Sequence, residues 1–498
     1  MKCSHYEVLF LAKGNVIIKI LKIQNRKVID MQKNIGGITR DCYPLTPAQL
    51  VHIYTLNYSP THEIVNIGTG QYLQTKLNVA ALREALNRAV ERCESMRMRI
   101  WKDPETGELW QYIEPYQNEF FEYYDFSEWQ EDKVTEVLTK WTSQPFDTFG
   151  GKLSRIVIVS LPDGYNGYYF NVHHACMDSG SVIAFAKDVM EIYSSLLYGL
   201  PYPKPMTSFI DSIKKDFEYE GSRKQKRDEE FWHKQLEMPE PIYTDYRGKE
   251  KLMQFRKESG NPEQRWGLLT SSNGDGATIT YELDVESTQK ILDFAHEHDI
   301  PVSAVILHAI RTVLSKFNDD ETDITIRDFV SRRSTVLNKK CGGVRMHCFP
   351  LRTIMPLDTT VLESMQIIKK AQEELFIHAD YSTLKYMAET RERYGVGPGG
   401  SYHSMNFTYQ PATLNSVVPY LKGIGFKSRW YSSGKQPQPM YITAMHRPGD
   451  GGLNFFFGYQ KDCATPEEIE FLYYFTGRVL FRSIENPNKT IKEIIDMT

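Results

Sequence analysis

Apolar residues recur at helical spacing from Leu82 through Ala85, Leu86, Ala89 and Val90 to Cys93, and Asn78 stands where an N-cap belongs, so the spacing predicts an amphipathic helix. Two β-rich runs follow, Arg155 to Leu161 and Tyr168 to His174. Between them Pro162-Asp163-Gly164-Tyr165-Asn166-Gly167 carries turn chemistry and predicts a hairpin. A second helix is predicted from about Ser181 to Tyr198, with Val182, Phe185, Val189, Ile192, Tyr193 and Leu196 on its buried side and Gly199 as its stop.

The texture then changes. Pro201, Pro203 and Pro205 open a middle region, a charged segment runs from Lys214 to Glu230, and Ser271-Ser272-Asn273-Gly274-Asp275-Gly276 closes it. Beyond it the pattern predicts a strand at Thr278 to Leu283, helices near Glu286 to Glu297 and Ser303 to Phe317, and a strand from Ile324 to Val330. A long helix from Leu362 to Ala379 precedes strands at Ser404 to Tyr409, Tyr441 to Met445 and Leu453 to Tyr459, and a helix follows Thr465-Pro466. Strands and helices alternate on both sides of the middle region, which predicts two α/β sandwiches of similar design. We assign 43–240 to an N-terminal lobe with its connecting segment and 241–498 to a C-terminal lobe. Residues 1–42 read as an N-terminal extension: Val16 to Leu21 has the composition of a strand, the rest is rich in Lys and Asn, and Met31 offers a second start.

At 498 residues the chain is long enough for two or three domains of about 100 to 200 residues each. Lys and Arg number 59 against 63 Asp and Glu, a net charge of -4, so no basic excess exists to grip a nucleic-acid backbone. No apolar run approaches the ~18 residues of a membrane span. Tyr6 to Ile23 comes nearest, but Lys13, Asn15, Lys19 and Lys22 break it and no cleavage pattern follows. A cytoplasmic location is expected, with no nucleic-acid or membrane partner. The 7 cysteines are odd in number and scattered, which suits reduced thiols. Only Cys341 and Cys348, flanking His347, lie near one another, and they lack a closely spaced ligand pair, so no metal is expected.

The chemistry concentrates in Asn171-Val172-His173-His174-Ala175-Cys176-Met177-Asp178-Ser179-Gly180, where a strand meets a helix. Side chains alternate across a strand, so His173 and His174 point to opposite faces and only one of them faces a given substrate. A neutral imidazole there can accept a proton from an amine or hydroxyl attacking a carbonyl. The helix start adds free N–H groups where an oxyanion forms. The residues alone leave another reading open: two core histidines satisfied by backbone carbonyls, with Asp178 as a helix cap.

This stretch resembles the HHxxxDG signature of the condensation domains of nonribosomal peptide synthetases, within the chloramphenicol-acetyltransferase-like superfamily, with Ser179 at the Gly position. The resemblance runs from about Tyr43 to the C-terminus. Tyr43-Pro44-Leu45-Thr46-Pro47-Ala48-Gln49 resembles YPLSPAQ, and Arg92 to Arg97 resembles RHExLR with Cys93 for His. Phe231-Trp232 resembles the YW pair, and Val330-Ser331-Arg332-Arg333 resembles VSGR with Arg332 for Gly. Gly343 to Arg352 is similar to GxFVNTLPLR with His347 for Asn; His378-Ala379-Asp380 resembles HQD, and Asn406 to Pro411 resembles NYQP.

The resemblance implies two chloramphenicol-acetyltransferase-like α/β lobes in a V-shaped pseudo-dimer with the active site in a tunnel between them. It implies a donor thioester carried on the phosphopantetheine arm of an acyl or peptidyl carrier protein, attacked by the amine or hydroxyl of a small-molecule acceptor, with no cofactor bound by the chain itself. It gives His174 the task of positioning or deprotonating the nucleophile, beside His173. Asp178 becomes one half of a structural ion pair, for which we take Arg333 as the other half. The N–H of Ser179 helps hold the tetrahedral intermediate, and Ser179, a favoured N-cap type, is expected to cap the helix with its hydroxyl. His347 and Asn406 are candidate tunnel residues, His347 either as a second imidazole or as a hydrogen-bonding stand-in for Asn. Cys176 is expected to pack, Gly399-Gly400-Ser401 to be a loop, and Arg97 to be either an ion-pair member or solvated.

With no adenylation signature and no carrier serine in the sequence, a free-standing, monomeric condensation enzyme of nonribosomal peptide or related biosynthesis is expected. The alternatives are an acyl-coenzyme A dependent acyltransferase of the same superfamily and a non-catalytic carrier-docking module, for which Ser179, Cys93 and Arg332 are the pointers.

Overall fold

Helices begin where their caps stand. Asn78 accepts a hydrogen bond from the Ala81 N–H at the start of helix Val79–Arg92, Asp284 caps Val285–Glu297, and Thr360 and Thr465 close capping boxes on Val361–Ile377 and Pro466–Glu485. Gly199 ends helix Ser179–Tyr198 in the left-handed region at φ 63°, a conformation that favours glycine. The computed structural model describes residues 31–58, 60–268, 274–411 and 423–498, so the Val16–Leu21 stretch lies outside the described residues.

In the N-terminal lobe five strands lie in the order Phe426–Tyr431, Asn66–Leu73, Asn166–His173, Ser154–Ser160, Tyr123–Asp125. The predicted hairpin is its centre. Helices Val79–Arg92 and Ser179–Tyr198 bury Leu82, Leu86, Val182, Phe185 and Val189 with Phe170 and Val172 of the sheet. Helix Glu131–Thr142 brings Val134 and Leu138 against Tyr72 and Tyr169. The C-terminal lobe holds six strands in the order Gly276–Glu282, Leu453–Gln460, Met440–His446, Met405–Gln410, Asp323–Val330, His347–Ile354. Helices Val302–Phe317, Val361–Ile377 and Pro466–Glu485 pack into the core with this sheet.

Two expectations need correction. Strand Phe426–Tyr431 leaves the lobe assigned to 241–498 and pairs antiparallel with Asn66–Leu73, Tyr431 opposite Gly68, with the Tyr431 and Tyr72 hydroxyls 2.9 Å apart. An edge strand left open by one lobe is thereby covered by the other. Residues 31–42 are not a bare extension. Met31–Ile35 and Ile38–Pro44 form a hairpin, turned at Gly36 and Gly37 with φ 60° and 86°, and join Leu109–Ile113 and Met98–Lys102 in a four-stranded sheet. Alternation lays Met31 and Ile35 against Trp110.

Candidate active site

The strand Asn166–His173 ends at the motif, and alternation separates its histidines. His173 is fully buried: its Nδ1 accepts the Ala175 N–H at 3.1 Å and its Nε2 lies 3.4 Å from the Thr148 hydroxyl. Burial pushes its pKa down to about 3. His174 lies one residue beyond the strand, where its backbone N–H donates to the Val65 carbonyl at 2.8 Å and its side chain turns to a cavity of about 580 Å³ between the lobes. Its Nδ1 is buried without a hydrogen bond of good geometry among the described residues, so the edge that meets the cavity is the Nε2 side. Burial lowers its pKa, more than the nearby carbonyls of His174 and Met177 and the charge of Asp178 raise it. The ring is therefore a neutral base at physiological pH.

A second imidazole, not singled out in the sequence, completes this wall. Helix Pro47–Thr55 starts with a capping box between Thr46 and Gln49, and Gln49 Nε2 also reaches the Ala175 carbonyl at 3.3 Å, tying the helix to the motif loop. That anchoring places His52 flat on His174, ring centroids 3.8 Å apart and planes 14° apart. Burial, then the neighbouring His174, holds the His52 pKa well below the ordinary value.

Asp178 joins the lobes. It is the N-cap of helix Ser179–Tyr198, accepting the Ser181 N–H at 2.8 Å, and across the lobe boundary it meets Arg333 Nη2 at 2.8 Å and the Arg345 N–H at 2.8 Å. Burial would raise its pKa, but the Arg333 charge and these N–H donors outweigh that and keep it below the ordinary carboxylate value. Gly180 makes room for this contact: a Cβ there would stand 2.7 Å from Arg333 Nε. The cap is thus Asp178 with Ser181. Ser179 does not cap the helix, contrary to expectation; it is the first helical residue, has no positive φ, and borders the cavity.

His347 and Asn406 do not line the cavity. On strand His347–Ile354 Cys348 faces the cavity, and its neighbour His347 faces the other side. Its Nδ1 pairs with the Ala379 carbonyl at 2.8 Å and its Nε2 with Arg332 Nη1 at 3.2 Å. Asn406 is fully buried in the sheet, donating to the Met440 carbonyl at 2.8 Å. Arg332 takes the left-handed region at φ 52°, an uncommon place for a side chain, and is held there by Asp216 at 3.1 Å and Asp380 at 2.8 Å. Cys176 is buried in the N-terminal core, Cys93 sits beside Gly342 of the other lobe, and Arg97 binds the Glu114 and Glu91 carbonyls instead of an acid. Gly400–Ser401 is a short strand paired with Gly267–Leu268. Glu229, His233 and Glu389 come close enough for a shared ion, but Lys385 and Tyr381 already engage the two carboxylates, away from the cavity.

The described cavity floor is one face of the six-stranded sheet. Period two brings Thr278, Thr280, Tyr441, Thr443, Thr408, Arg327 and Phe329 to it, while the first lobe supplies His52, His174 and Ser179. The family model "Condensation domain" matches residues 39–497. The chain belongs to the condensation-domain family. Surfactin synthase subunit 1 of Bacillus subtilis (strain 168) is 24% identical over 464 residues, which are 91% of this chain and 12% of that protein. Bacitracin synthase 1 of Bacillus licheniformis is 22% identical over 461 residues, 92% of this chain and 8% of its own. The chain thus spans under a fifth of these relatives.

Solved condensation domains share the fold. The first condensation domain of the calcium-dependent antibiotic synthetase, in complex with a substrate analogue, superposes with TM-score 0.74 at 18% identity, covering 91% of this chain and 98% of that one. VibH, a nonribosomal peptide synthetase condensation enzyme, gives TM-score 0.67 at 16% identity, covering 88% and 96%. This condensation domain therefore has the chloramphenicol-acetyltransferase-like architecture, with its motif histidine at the inter-lobe cavity.

Proposed function

We propose that this condensation domain is a working acyltransferase. An acceptor amine or hydroxyl in the inter-lobe cavity attacks the thioester carbonyl of an acyl or aminoacyl group on the phosphopantetheine arm of a carrier protein. The C–N or C–O bond forms, the C–S bond breaks, and the nucleophile's proton passes by way of His174 Nε2 to the departing thiolate, so the products are an amide or ester and the free thiol of the arm. The observation that carries the reading is His174 itself, neutral by burial and open to the cavity at its Nε2 edge.

The remaining residues take supporting roles. The N–H of Ser179, at the cavity end of a 20-residue helix, faces the developing oxyanion. Asp178 would oppose charge there, but Arg333 neutralises it. Holding two reactants in one cavity supplies a large share of the rate, so a single base and a single donor suffice. A mutant of the starter condensation domain of rhizomide synthetase, 16% identical with TM-score 0.73, was solved in complex with C8-CoA and Leu-SNAC. The carriers lie outside these 498 residues. Free thiols at the described cysteines support a place in the cytoplasm, and we take the protein to act as a monomer.

The test is a matrix of acyl-loaded carriers and acyl-coenzyme A thioesters against free amines and alcohols, followed by mass spectrometry. Turnover with carriers and not with coenzyme A thioesters supports the proposal. Turnover with coenzyme A alone assigns the superfamily's other donor, and carrier binding without turnover makes the protein a docking module.

A further inference from the structure

Buried charges in proteins are paired, because an isolated ion loses its hydration without compensation. Among the described residues, the cations lining the inter-lobe cavity obey this rule with one exception. Arg429 pairs with Glu131, and Lys435 Nζ lies 2.7 Å from Asp275. Arg327 is 9% exposed and meets no carboxylate among the described residues. Of its five N–H donors, one goes to Cys348 Sγ, a thiol that burial keeps protonated, and no other acceptor is present among the described residues.

The strand that carries Arg327 explains where the group points. Strand Asp323–Val330 alternates, with Ile324, Ile326 and Val330 in the helix-backed core and Arg327 and Phe329 on the cavity floor. The neighbouring acid cannot serve it. Asp328 faces the core side, where it accepts from Gln372 Nε2 at 2.7 Å and from the Phe329 N–H, and burial raises its pKa to about 6. In register, Pro350 stands opposite Arg327 on one neighbouring strand and Asn406 on the other, and neither carries charge. The only acid on the cavity lining among the described residues is Asp178, already committed to Arg333.

We propose that Arg327 anchors an anionic group of the acceptor, a carboxylate, while the acceptor's amine or hydroxyl lies at His174. The acceptor class is then an amino or hydroxy acid with its carboxylate free. A guanidinium presents a planar fork that suits a carboxylate, and an apolar, low-dielectric surround strengthens the pair. Phe329, Met387 and Leu384 supply that surround. The charge also reaches the base: Arg327 is among the groups that disfavour protonation of His52, the ring stacked on His174. The inference rests on the proposed acyl transfer for the role of the bound molecule, but binding alone tests the anchor.

The experiment uses ligand-observed NMR on the full chain with matched probes: free amino acids against their carboxamides, and pantetheine 4′-phosphate against pantetheine. Wild type and His174→Ala should bind the free acids more tightly than the amides. Arg327→Gln should weaken the acids at least about tenfold and leave the amides unchanged. Arg327→Lys, which keeps the charge without the fork, should fall between. Because removing an unpaired buried cation relieves a cost, the melting temperature of Arg327→Gln should equal or exceed that of wild type. Equal binding of acids in wild type and Arg327→Gln, or no binding of any acid to wild type, overturns the anchor. Loss confined to pantetheine 4′-phosphate overturns the carboxylate assignment in favour of the arm's phosphate. Arg327-dependent acid binding with no turnover on any donor would leave the anchor standing and remove the acyl-transfer reading instead.

Discussion

His52 lies flat against His174 with ring centroids 3.8 Å apart, and neither His52 Nε2 nor His174 Nδ1 has a hydrogen-bond partner among the described residues. The stack braces the plane of the base, beside the carbonyls of His174 and Met177. Replacing His52 with Ala opens a void beside His174 and should lower kcat by about 10-fold to 100-fold with a smaller effect on KM. His52→Phe keeps a ring on the base and should restore most of the loss. Equal defects in the two variants would show that an ionisable His52, and not its surface, is what matters.

Two imidazoles at this distance are not both protonated, and burial lowers both pKa values. A base with a lowered pKa keeps its lone pair to lower pH. The acid limb of kcat against pH should therefore lie below the ordinary histidine value of about 6.5. A limb at or above that value contradicts the buried, neutral base.

The same shifts fix how stability depends on pH. His173, His308, His347 and His403 are buried, and burial pushes each to about 3. The unfolded chain binds protons at these sites first as pH falls, so stability is full above about 6.5 and declines below it, by up to about 1.4 kcal/mol per pH unit for each site. Asp178 and Asp216, both held below the ordinary carboxylate range, add their loss only below about 4. Melting temperature should be flat from about pH 8 to 7 and fall steeply between about 6 and 5. A decline that begins only below about 4 would mean that these histidines are not buried.

Asp178 and Arg333 form a single structural unit. Removing either partner strands a buried charge and should cost about 3 to 5 kcal/mol, and Asp178→Ala also frees a helix cap and the Arg345 N–H. The double variant should be much less destabilised than the sum of the singles in a chemical-denaturation cycle. Additive effects would show that the two lobes are held elsewhere.

Legibility in the sequence followed the range of the forces involved. The hairpin ending at His173 and His174, the helix after Asp178 and the alternation in the second lobe are local patterns, and they were readable. Asp178 with Arg333 came from the resemblance, since no periodicity links residues 155 apart. His52 was missed because Leu50-Val51-His52-Ile53 reads as an apolar helical face, and only the Thr46 and Gln49 capping box shows where that face points. Strand Phe426–Tyr431 was missed because its partner lies in the other lobe. His347 is the hydrogen-bonding stand-in and not a tunnel imidazole; period two sets it opposite Cys348, but no pattern in the sequence says which of the two faces meets the cavity. Ser179 is of a favoured cap type, but the neighbouring Asp178 and Ser181 satisfy the helix start between them.

Ser179 tests whether departure from the family's Gly matters. It has an ordinary helical backbone, so glycine's freedom is not required there. Ser179→Gly should change turnover by less than about tenfold, roughly 1.4 kcal/mol of barrier. A parent without turnover that gains it as Ser179→Gly would identify the natural protein as a docking module.

The most direct measurement sets His174→Ala beside His173→Ala and the parent, with the same acyl-loaded carrier and amine, following product by mass spectrometry and folding by circular dichroism. Product is expected from the parent and none from a folded His174→Ala. His173→Ala should lose about 1 to 3 kcal/mol of stability from its buried hydrogen bonds and retain turnover in proportion to its folded fraction. Product formed equally by the parent and His174→Ala would contradict the claim that the imidazole facing the inter-lobe cavity is the catalytic base.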